Sequence, residues 1–283
     1  MDIAKVSDEL SHWILEQAAA GRDPREVMAA MLQQGWQEQA AIDAVEQTMR
    51  EHLARHAREH GLPPPTPVPA PIELNGPASL QVVDRQVNVL AQMLHPRVIV
   101  FGGVLSGEEC DALVELARAR LQRSPVFNPD TGADEDHDAR TSEGMFFTRG
   151  ENALCLTIEA RIAALLDWPL ENGEGLQVLR YGVGAEYKPH HDYFDPERPG
   201  ADVALRRGGQ RVASLVMYLN TPACGGATTF PDVNFEVAPV KGNAVFFSYD
   251  RPHAMTASLH GGAPVVEGDK WVATKWLRER RHD

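Results

Sequence analysis

In the stretch YKPHHDYFDP, His190 and Asp192 stand two positions apart. On extended backbone that spacing projects an imidazole and a carboxylate from one face, while His191 points from the other. A second imidazole from a distant strand would complete a two-histidine, one-carboxylate set, a donor arrangement suited to non-haem Fe(II) with coordination positions left open. His253 and His260 are both candidates, and spacing alone does not separate them. Lys270 stands out for a different reason. In KWVATKWL it is followed by Trp271 and Val272, and an ammonium in an apolar strand calls for an anionic partner.

These side chains need a rigid frame. Beyond Leu176 the chain breaks into short strand-like runs separated by Gly, Pro and Asp: LQVLRYG, RVASLVMYLN, ATTF, NFEVAP, NAVFFSYD, PVVEG and KWVATKWL. Many short strands at this spacing predict a sandwich or jelly roll. Upstream, Val98 to Phe101 reads as a strand and 107–122 as a helix with an apolar stripe of Cys110, Leu113, Leu116 and Ala117. The periodicity around Leu80 to Leu94 predicts another helix, and a polar loop (128–143) precedes a further one.

Residues 1–60 have a different texture. Ser7 is placed to cap a helix carrying Leu10, Trp13 and Ile14, and Asp23-Pro24-Arg25-Glu26 is a helix start signal. Gly35 ends that second helix, and Ile42, Val45, Met49 and Leu53 mark a third. The next segment, GLPPPTPVPAP, holds six prolines in eleven residues and reads as a semi-rigid spacer. The expected organisation is a helical bundle over 1–60, a proline-rich linker over 61–74 and a larger domain over 75–283.

Several motifs together resemble the prolyl 4-hydroxylase family. LQVLRYGVGAEYKPHHDYFDP is similar to that family's metal-binding strand and loop, and SLHGGAPVVEGDKWVATKWLRER to its second motif, in which a histidine precedes a lysine by ten residues. GGQRVASLVMYLN, GGATTFP and RTSEG also match, so that the resemblance spans roughly 97–280. It implies an α+β fold with a double-stranded β-helix (jelly-roll) core and flanking helices, preceded here by the small all-α domain read from residues 1–60. It implies His190, Asp192 and His260 as iron ligands, and Lys270, Tyr181 and Thr228 around the far carboxylate of 2-oxoglutarate. Thr229, beside Thr228, is the rival for that place.

By the same resemblance, 2-oxoglutarate and O2 are consumed with release of succinate and CO2, ascorbate serves as reductant, and peptidyl proline is hydroxylated at C4. Tyr187, Arg211, Trp276 and Arg278 fall on the substrate side, although the family usually has histidine where this chain has Arg278. Arg140, in RTS, suits either an internal ion pair or a substrate contact. A free amino acid or another side chain is the alternative substrate, and a non-catalytic binding module the alternative of another class. The helical unit resembles a ubiquitin-associated-type bundle through Leu32-Gln-Gln-Gly-Trp36, which implies a protein partner.

Composition sets the remaining bounds. Three widely spaced cysteines (Cys110, Cys155, Cys224) suggest neither a disulfide framework nor a thiolate zinc site, which fits a reducing, cytoplasmic setting. No apolar run approaches the roughly 18 residues of a membrane helix, and the first residues lack the pattern of a secretory signal. A net charge of -13 argues against non-specific nucleic-acid binding.

Overall fold

The computed structural model describes residues 6–72, 76–124, 126–127, 131, 134–135 and 141–282. Arg140 and most of the loop 128–143 lie outside the described residues. The chain divides into two compact units, Met1–Pro65 and Thr66–Asp283.

The first unit holds three helices, two where the capping signals place them, Asp8–Ala19 and Pro24–Gln33, and a third, Glu38–Glu59, where the apolar spacing does. The Ser7 hydroxyl accepts from the Leu10 amide and the Asp23 carboxylate from the Arg25 amide, each satisfying a helix-start donor. Ile14, Val27, Met31, Ala41 and Ala44 form the core. Trp36 is exposed.

The second unit is built on a nine-stranded antiparallel sheet. Its central strands are Arg97–Gly102, Ala244–Ser248, Arg211–Tyr218, Lys270–Arg278 and Leu176–Tyr181, in that spatial order. Helices Gly107–Arg118 and Ala153–Leu166 contribute Cys110, Leu113, Cys155 and Ile158 to a core on one face. A second core of Tyr181, Tyr218, Phe230, Val245 and Phe247 belongs with the smaller four-stranded sheet, ordered Phe235–Val237, Thr228–Phe230, His260–Gly262, Tyr187–His190. Two antiparallel sheets enclosing an apolar core give the expected jelly roll.

Residues 80–94 are not helical. Ser79–Val82 and Arg85–Met93 form a hairpin on the sheet's edge, joined through Val83 and Asp84, with Val83 at φ +47°. Val82 and Val87 are buried in the main core, so period-two burial outweighed a pattern that also fits a helix. The proline-rich stretch is partly docked. Thr66 donates from its amide to the Asp250 carbonyl (2.7 Å) and from its hydroxyl to Glu279 (2.9 Å), Arg97 donates to the Ile72 carbonyl (2.7 Å), and Val68 and Ile72 pack on the core.

Candidate active site

The strand Tyr187–His190 pairs with His260–Gly262 so that His190 sits directly opposite His260. Asp192 follows just past the first strand's end, and the three donors converge: all ligand atoms lie within 4.8 Å of one another. His190 Nε2 is 3.5 Å from one Asp192 oxygen and His260 Nε2 is 3.5 Å from the other. Each histidine is held through Nδ1, by the Lys188 carbonyl at 2.9 Å and the Ser258 carbonyl at 3.0 Å. A carbonyl can only accept, so both Nδ1 atoms carry the proton and both Nε2 lone pairs face the carboxylate, the tautomer a metal ligand needs. Burial against Phe247, whose ring centroid is 4.4 Å away, lowers the His260 pKa to about 4 and keeps the ring neutral.

Asp192 is almost fully buried. Burial raises its pKa, but the charge His260 or His190 gains on protonation and the Arg211 guanidinium outweigh it, so that the carboxyl lies well below its usual range. The Ser214 hydroxyl donates to Asp192 Oδ2, and since that uses its only proton, the Tyr249 hydroxyl at 3.0 Å must donate to Ser214. Sequence reading missed both Ser214 and Tyr249. The available signal was a hydroxyl in the middle of the apolar strand RVASLVMY, since a buried polar atom needs a partner.

The rival distal histidine, His253, is engaged elsewhere, where its Nδ1 accepts from the Met255 amide and caps a short 3-10 turn. His191 turns away as strand alternation predicts and stacks on Tyr193, centroids 4.6 Å apart.

Around the triad opens a cleft lined among others by Tyr181, Tyr187, Thr228, Lys270 and Trp276. Lys270 lies opposite Tyr181 across paired strands, its ammonium 5.4 Å from the ring centroid. It is 4% exposed, and burial alone lowers its pKa to about 8. No carboxylate pairs with it among the described residues, which leaves a buried cation facing an open cleft. Thr228 lines the cleft and accepts from the Tyr218 hydroxyl at 2.9 Å, whereas Thr229 alternates away from it. Gly226 (φ +74°) makes room, since a Cβ there would lie 3.1 Å from the Lys270 side chain.

The four residues expected on the substrate side divide. Tyr187 and Trp276 line the cleft, Tyr187 stacked on His190 with centroids 3.7 Å apart. Arg211 and Arg278 are instead tied to the buried carboxylate of Glu174. Arg211 binds it through Nε (2.7 Å) and Nη2 (3.0 Å), and Arg278 through Nη1 (2.9 Å). Arg211 also covers the Trp276 ring, 4.0 Å from its centroid, and reaches the Asp192 carbonyl at 3.4 Å. Burial raises the Glu174 pKa, but the two guanidiniums dominate and hold it at about 2.

A jelly roll carrying two histidines and a carboxylate beside a buried lysine defines a class, and residues 176–278 match the 2OG-Fe(II) oxygenase superfamily. Among curated proteins the chain is 44% identical over 203 residues to Prolyl 4-hydroxylase 1 of Arabidopsis thaliana, covering 65% of this chain and 70% of that one. It is 39% identical over 215 residues to Prolyl 4-hydroxylase 5 of the same plant, covering 69% and 72%. A solved relative, the viral collagen prolyl hydroxylase of Paramecium Bursaria Chlorella virus-1 in its 2OG complex, is 30% identical with a TM-score of 0.49, over 64% of this chain and 95% of that one. The chain belongs to the prolyl 4-hydroxylase family.

Proposed function

We propose that this protein hydroxylates peptidyl proline at C4, using Fe(II), 2-oxoglutarate and O2 and releasing succinate and CO2, with ascorbate keeping the iron reduced. The observation that carries the cofactor half is the unpaired buried Lys270 in the same cleft as the triad. His190, Asp192 and His260 suit an iron ion because both Nε2 lone pairs and an ionised carboxylate already face one point. When bound, iron with 2-oxoglutarate supplies the oxidant that attacks a substrate C–H bond.

The chain's own residues do the rest. Ser214 and Tyr249 orient Asp192. Lys270 grips the distal carboxylate of 2-oxoglutarate by a charge-assisted hydrogen bond, with Thr228 and Tyr181 beside it. Tyr187 and Trp276 flank the substrate. Anaerobic addition of Fe(II) and 2-oxoglutarate tests the cofactor assignment: a visible charge-transfer band is expected, weakened strongly in Lys270→Ala, and its absence from the wild type would overturn the assignment. Competition between free proline and blocked proline peptides then decides the substrate class, with succinate release expected to rise only with the peptides.

A further inference from the structure

We propose that Arg278 is a positioning residue that fastens the segment Phe194–Gln210 beside the Trp276 wall of the cleft, and that it shapes peptide binding without touching the peptide. The proposal rests on the peptide-hydroxylase reading above. On the strand Lys270–Arg278 the alternate residues Lys270, Val272, Thr274 and Trp276 line the cleft, and Arg278 continues the row. It is 2% exposed, and its guanidinium turns along the end of the row instead of into the cleft.

Its partners explain why this position holds arginine. Nη1 binds Glu174, and Nη2 binds the main-chain carbonyls of Ala204 and Arg207, at the end of the short helix Ala201–Arg206. The Ala204 carbonyl also accepts from the Arg207 amide (3.2 Å), and a cation at this helix end adds a charge-assisted bond where the last carbonyls and the dipole favour one. The same guanidinium lies 4.9 Å from the centroid of the Phe194 ring. A neutral imidazole offers one N–H and could not serve three acceptors on two elements.

The segment's ends are tied independently. Gln210 exchanges two 2.7 Å bonds with the Phe194 main chain, its own amide donates to Glu279 (2.7 Å), and the Arg280 amide donates to the Gly208 carbonyl (2.9 Å). Between those ends, Arg278 ties the helix end at Ala204 and Arg207 to the strand. Glu174 carries the effect to the cleft, because it also holds Arg211, which covers Trp276.

The test compares full-length Arg278→His and Arg278→Lys with the wild type by localised amide hydrogen exchange and by peptide kinetics. In Arg278→His the amides of Val203, Arg207 and Gly209 should exchange at least about tenfold faster, while the strands Arg211–Tyr218 and Ala244–Ser248 keep their protection. The peptide KM should rise about tenfold with kcat changed less than about threefold, and with Fe(II) and 2-oxoglutarate affinities retained as the check on folding. Arg278→Lys, able to bridge Glu174 and one carbonyl, should recover part of both effects. Unchanged exchange in Arg278→His would overturn the fastening. Faster exchange with an unchanged KM, or a fall in kcat at constant KM, would overturn the positioning role. If the wild type hydroxylated no proline peptide the functional reading would fall, and the exchange arm would still decide the fastening.

Discussion

Lys270 is where the chemistry is most exposed to measurement. Its ammonium is a buried charge that 2-oxoglutarate would neutralise, and losing one partner of a buried pair costs about 3 to 5 kcal/mol, so Lys270→Ala should raise the 2-oxoglutarate Kd by two orders of magnitude or more. Lys270→Arg should recover part of the loss. The sign of the pH dependence follows from burial. The folded pKa of about 8 lies below the ordinary 10.5, so the charged lysine costs stability in the ligand-free protein below about pH 8, and that cost fades as pH rises towards 10.5. Binding needs the ammonium, so above pH 8 the 2-oxoglutarate Kd should rise roughly tenfold per unit, read by titration calorimetry; a flat profile to pH 10 would remove Lys270 from the anchor role. Ser214 offers a second residue-scale test. Its hydroxyl orients Asp192, and loss of such a partner typically costs about 10- to 100-fold in metal affinity, so Ser214→Ala should weaken Fe(II) binding to that extent. His190, Asp192 and Lys270 were legible in the sequence because their spacing and setting are local, whereas spacing left His260 level with His253 and only the family motif singled it out. Ser214, Tyr249 and Glu174 were not, since each acts on a partner that only the sheet pairing brings near.

At the scale of elements, strand alternation does most of the placing: it puts Thr228 rather than Thr229 in the cleft and turns His191 away. Helical periodicity misled, because SLQVVDRQVNVLAQML fits a helical stripe until the hairpin through Val83 and Asp84 is recognised. Helix Ala153–Leu166 is joined to the cleft strand by Glu159 and Lys275, both nearly fully buried and directly ion-paired. Lys275→Met strands a buried carboxylate and should destabilise the protein by about 3 to 5 kcal/mol in chemical denaturation. Glu159→Gln combined with Lys275→Met should recover most of that loss, since glutamine keeps the acceptor for the Gly150 amide. A double variant as unstable as the single one would show that packing rather than stranded charge carries the effect.

For the whole molecule, the change of texture near residue 60 was visible as composition, but where the proline-rich stretch attaches was not. Thr66, Val68 and Ile72 are held by residues far along the chain, Asp250, Glu279 and Arg97 among them, which no local pattern announces. Removing residues 1–65 should therefore leave a folded, active enzyme, whereas removing 1–72 should lower its Tm measurably; equal stability of the two would show that the docked segment contributes little. The central claim is oxygen transfer to proline, and mass spectrometry of a proline-rich peptide incubated with the protein, Fe(II), 2-oxoglutarate, O2 and ascorbate tests it most directly. The expected result is one added oxygen on C4 of proline, matched by succinate and abolished in His260→Ala. Succinate formed without any oxygen in the peptide, or peptide hydroxylation that survives His260→Ala, would contradict it.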